Sequence, residues 1–148
     1  MSQARTFKVT SNLARQIHEP GGRRVADAQR LAGEALEAHR EAAMTAIAAT
    51  LTGMEKLCDE GPEGVGDAVY AQASSIVDLA GYFDTGPLFE AAYSLCEVVD
   101  RMNNAQTWGW PAVQVHVQAM RLILAGGCRA GRASETLLAG LRSVTESR

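Results

Sequence analysis

The stretch LEAHREAAMTAIAATLTGMEKLC, residues 36–58, is built from Ala, Leu, Glu and Met, all strong helix formers. Leu36, His39, Ala43, Ile47, Leu51, Met54 and Cys58 recur at spacings of three and four, which puts them on one apolar stripe of an α-helix. The same composition reaches back to Val25, so the sequence predicts a helix from Val25 to about Cys58. At 1.5 Å per residue it would be about 50 Å long. That is long for a chain of 148 residues, so we expect a bend near Gly33 or an extension beyond the body of the protein. Asp59-Glu60-Gly61-Pro62 supplies the helix breakers that end it.

The helical period continues downstream. Val69, Ala73, Ile76 and Ala80 share one face of a second helix, from Gly66 or Asp67 to Tyr82. After Asp84-Thr85-Gly86, Pro87 suits the first turn of a third helix, which buries Leu88, Ala91, Leu95, Val98 and Met102. Asn103-Asn104 and Trp108-Gly109-Trp110 read as a loop, with the two tryptophans capping one end of the core. Pro111 opens a fourth helix that is apolar on two sides, with Val113, Val117, Met120 and Leu124 on one and Val115, Ala119 and Leu122 on the other. Such a helix is central or shared with a second subunit. Gly126-Gly127 stops it, and a short last helix runs from Ser134 to about Val144. No alternating apolar–polar run persists long enough for a strand. The expected fold is all-α: an up-and-down four-helix bundle with an N-terminal helical extension and a short C-terminal helix.

The formal net charge of −3 conceals segregation. Residues 1–24 sum to +4, residues 51–104 to −8 and residues 105–148 to +3. The first segment reads as a solvated or self-docking basic arm, and residues 25–148 as one domain. Little lysine, no aromatic interleaving beyond Phe7 and an acidic body argue against nucleic acid as partner. No apolar run approaches the roughly 18–20 residues of a membrane span, and no secretory signal opens the chain. Cys58, Cys96 and Cys128 are odd in number and form no Cys-x-x-Cys pair, which predicts free thiols in a reducing cytoplasm.

Familiar constellations for catalysis are missing. There is no phosphate loop, no His-Glu-x-x-His and no Gly-x-Ser-x-Gly elbow. Gly61, Gly64 and Gly66 lie among Glu60, Glu63 and Asp67, whose charge would repel a phosphate. His18, His39 and His116 are not spaced as metal ligands. His39 and His116 both fall among apolar residues and read as core histidines. Glu90, Glu97 and Asp100 read as solvated positions. We therefore expect no catalytic residue, no metal and no cofactor.

One segment carries a resemblance. Ala73-Ser74-Ser75-Ile76-Val77-Asp78-Leu79-Ala80-Gly81-Tyr82-Phe83 resembles the central helix of histidine phosphotransfer domains, which relay phosphate between receiver domains in two-component signalling. The family pattern is alanine, histidine, any residue, leucine, lysine, glycine, then small residues ending in Phe or Leu. Ala73 matches the alanine, Ile76 the leucine, Gly81 a small residue and Phe83 the closing aromatic. Pro87-Leu88, Ala91 and Ser94-Leu95-Cys96 are similar to the next helix, and Val115–Arg121 is similar to the final bundle helix of some members. The likeness spans roughly Arg40–Ala125.

Against that pattern, Ser74 stands at the place of the phosphoacceptor histidine, Val77 at the lysine and Asp78 at the glycine. A serine hydroxyl cannot form the labile phosphoramidate that makes imidazole-to-aspartate transfer nearly reversible. Losing the lysine removes a charge that would hold phosphoryl oxygens. Asp78, one turn beyond Ser74, adds bulk and negative charge where an acidic receiver pocket would approach. The resemblance thus implies a non-catalytic relative that binds a receiver domain or a histidine kinase through Tyr70, Ser74, Ser75, Val77 and Asp78. Self-association into a homodimer through the fourth and first helices is the alternative, and a displaced phosphoacceptor at His39 or His116 is a third reading.

Overall fold

The first helix shows how far the apolar stripe of the sequence translates into packing. In the computed structural model, which describes residues 24–60, 65–83 and 85–146, that helix is α1, Val25–Glu60. It is followed by α2 (Gly66–Tyr82), α3 (Pro87–Ala105), α4 (Trp110–Ala125) and α5 (Arg132–Glu146), and the described residues contain no strand. The basic arm expected over residues 1–24 lies, apart from Arg24, outside the described residues.

Two units divide the chain, Met1–Ala38 and His39–Arg148, and α1 contributes to both. In the first unit α1 stays α-helical through Gly33. Its residues from Val25 to Ala38 are all exposed, Leu31 and Leu36 included, and an Arg30–Glu34 ion pair of 2.8 Å spans one turn.

In the second unit the expected stripe is buried only from Ala43 onward. Ile47, Leu51 and Met54 are fully buried, whereas His39 is exposed. The expectation of a core histidine at position 39 is therefore corrected. Periodicity fixes which side chains share a face, but burial also needs an opposing element. At Gly53 an added Cβ would lie 3.6 Å from the Gln72 side chain of the next helix.

The remaining helices form a bundle around one apolar core. Val69, Ala73, Ile76 and Ala80 are fully buried, as the four–three–four spacing predicts, and Leu88, Ala91 and Leu95 of α3 join them. α2 and α3 run antiparallel. The start of α2 meets the end of α3, since Gly66 lies against Asn103 with no room for a Cβ. The end of α2 meets the start of α3, since a Cβ on Gly81 would lie 3.2 Å from the Phe89 ring. α5 lies two helices after α3 and runs in its direction, with Arg142 paired to Glu90 and Thr145 reaching Ser94. α1 is tied to α4 by Arg121, which donates from Nε and Nη2 to the two Glu55 carboxylate oxygens at 2.9 and 2.8 Å and from Nη2 to Thr52 Oγ1. That bidentate bond holds the Glu55 carboxyl below its ordinary value.

The connectors explain where the boundaries fall. Thr85 is buried and closes α2, its N–H and hydroxyl both donating to the Ala80 carbonyl. Gly86 follows with a φ of 45°, a conformation in which a side chain would be strained. Asn103 and Asn104, expected in a loop, instead complete the last turn of α3. The helix ends when Gln106 adopts a φ of 50°, which lets the Gln106 and Thr107 N–H groups donate to the Asn103 and Met102 carbonyls. This is a left-handed cap of the Schellman kind, made here without glycine. Trp108 and Trp110 pack edge to face, centroids 5.2 Å apart, against the core. Ser134 starts the bonding of α5 by accepting the Gly131 N–H. No helix among the described residues is long and apolar enough to cross a membrane.

Candidate protein-binding face

α2 is amphipathic, and its buried row fixes what its other side presents. With Ala73 and Ile76 in the core, Ser75, Asp78 and Tyr70 are exposed, while Ser74 and Val77 are half-buried at the flank. All five residues inferred for partner binding thus lie outside the buried row, but not equally so. Ser74 is turned partly toward the bundle. Asp78 is close enough to α3 that its carboxylate contributes, after burial, to raising the Cys96 thiol above its ordinary value.

The sequence reading missed the aromatic border of this face. Phe89 covers Gly81, and Tyr93 stacks on Phe89 with centroids 6.2 Å apart and an interplanar angle of 19°. Both rings are at least partly open to solvent, as is Tyr82, which packs edge to face on Phe83. A signal was available: Phe89 and Tyr93 are four apart and lie off the Leu88–Ala91–Leu95 stripe. Exposed aromatics beside a short polar surface are the residue types that protein interfaces favour. Glu90, Glu97 and Asp100 are exposed, as solvated positions should be.

The other group of chemical interest is His116, and it is fully buried. Its Nδ1 lies 2.7 Å from the Ala112 carbonyl, which can only accept, so the proton sits on Nδ1. Nε2 then accepts from the Ser94 hydroxyl at 3.0 Å. Thr145 donates to the Leu141 carbonyl at 2.8 Å, which leaves no proton for the Ser94–Thr145 contact, the longest of the set at 3.3 Å. Burial holds His116 below the ordinary imidazole value, opposed by its bond to Ala112. Both nitrogens are occupied inside the bundle, so neither is presented to solvent.

The thiols are quiet for a similar reason. Cys58 and Cys96 are half-buried and Cys128 is buried, and burial is the main cause raising all three above the ordinary thiol value. Among the described residues no group of three His, Cys, Asp or Glu could hold a metal ion. An apolar pocket of about 600 Å³ lies between α3 and α5, walled by Val98, Met102, Ala105 and Val144.

Neither a family model, nor a curated protein, nor a solved structure matches this chain.

Proposed function

We propose that this protein is a non-catalytic relative of histidine phosphotransfer domains, binding a two-component partner through the exposed side of α2 without relaying phosphate. The partner is a receiver domain or a histidine kinase. The observation that carries the reading is the composition of one face: Ser75, Asp78 and Tyr70 open to solvent on a helix whose Gly81 lies against the Phe89–Tyr93 stack, with a serine where an acceptor imidazole would have to stand. Such a surface supports docking. It offers no nitrogen nucleophile, no lysine for phosphoryl oxygens, and a carboxylate one turn from the acceptor place. Binding without transfer makes the protein a competitor or sequestering adaptor.

The test is a binding titration of receiver domains and kinase phosphoacceptor domains against the wild-type chain and Asp78→Arg. At least one partner is expected to bind the wild type, with its affinity changed tenfold or more in the variant, a difference of about 1.4 kcal/mol. Absence of binding to any of them, or binding indifferent to Asp78→Arg and to Tyr93→Ala, would overturn the reading.

A further inference from the structure

α4 was expected to be apolar on two sides, with Val115, Ala119 and Leu122 on the second, and the structure buries Ala119 with the first side while leaving Val115 and Leu122 open. Val113, Val117 and Met120 are buried in the bundle, whereas Val115 is 46% and Leu122 60% exposed. These two are seven residues apart, so they stand two turns apart on one line of the helix with Gln118 between them. That line is itself one wall of a groove of about 500 Å³ between α4 and α5, to which Ala119, Leu137 and Gly140 also contribute. Gly140 has no atoms near its missing Cβ, which keeps that part of the groove open.

We infer that this face is the contact between two copies of the chain, the Val115–Leu122 ridge of each seated in the α4–α5 groove of the other. Three features select a second copy as occupant. A two-fold contact must be complementary to itself, and here ridge and groove lie side by side on one surface. None of the residues lining the groove carries a formal charge, so two copies meet without like-charge repulsion and no charged partner is selected. The size also fits. Two helices side by side, each about 24 Å long and 10 Å wide, present on the order of 500 Å² in projection. The accessible area of so ridged a surface approaches the roughly 800 Å² per partner of a standard interface. An interface at this lower edge of size gives an association that depends on concentration. The inference stands apart from the two-component reading, which uses α2 on a different part of the bundle.

Sedimentation velocity on the full chain, from about 1 to about 200 μM, reads the association directly. The expected result is a rise from 15.8 kDa toward twice that mass, abolished in Leu122→Glu with helical circular dichroism unchanged. With each ridge in the other copy's groove, the two-fold axis runs between the two ridges at their midpoints and brings Gln118 near its own copy. Gln118→Cys should therefore form a covalent dimer on mild oxidation well beyond the background of the wild type, even if Leu122→Glu fails to fold. A wild type that keeps a single-chain mass at the highest concentration, or a Gln118→Cys variant that crosslinks no better than wild type, would overturn the inference.

Discussion

His116 and Ser74 occupy opposite situations in the same bundle. His116 is an imidazole with no access: it is fully buried, and both its nitrogens are engaged. Ser74 lies on a helix whose outer side is accessible, but it carries no imidazole. Relay chemistry needs a nitrogen nucleophile at a surface that a receiver can reach, and among these two positions each supplies only half of that. The lesson is that an imidazole buried among helices is engaged in packing, while the exposed helix face is the one open to a partner. His39 is an exposed imidazole, in α1 a turn before the buried stripe begins.

That contrast can be broken by mutation. The largest effect is expected at the buried imidazole. His116→Ala should lower unfolding free energy by about 3 kcal/mol in urea melts, because it leaves a cavity and removes the acceptor of the Ser94 hydroxyl. A loss below about 1 kcal/mol would show that the histidine is not an integral part of the core.

The next effect is on pH. Folded His116 titrates below its ordinary value of 6.5, so the unfolded chain binds the proton first as pH falls. Stability should be level above about pH 7 and decline below 6.5, by at most about 1.4 kcal/mol per pH unit. It should stop declining once pH passes below the folded value. His116→Leu should remove this slope, and a slope that survives the substitution would place its origin elsewhere.

At the α2 face the same measurements should barely move. Asp78→Arg is expected to change stability by no more than about 0.5 kcal/mol while altering partner binding. A large destabilisation there would mean that the face is structural.

Much of this fold was legible because helix periodicity survives without knowledge of tertiary contacts. The buried residues of α2 fall at the positions their spacing predicts, and α1 begins at Val25 as its composition suggests. What was not legible depended on neighbours. The stripe of α1 gave no indication that Leu36 and His39 would be exposed. Gln106 gave no hint of a left-handed cap, since that conformation usually falls to glycine, and α3 therefore ran past Asn103-Asn104. At the candidate face, Ser75 and Asp78 followed from the helical wheel. The half-burial of Ser74 required knowing how the neighbouring helices lie against α2, whereas the stack of Phe89 on Tyr93 was available from their four-residue spacing.

Phosphoryl transfer from a radiolabelled receiver domain tests the central claim most directly. The wild-type chain should acquire no label, whereas a chain with Ser74→His, Val77→Lys and Asp78→Gly together should take it up on the new imidazole. Stable, acid-labile label on the wild-type protein would contradict the account, because it would mean that one of its own histidines still accepts phosphate.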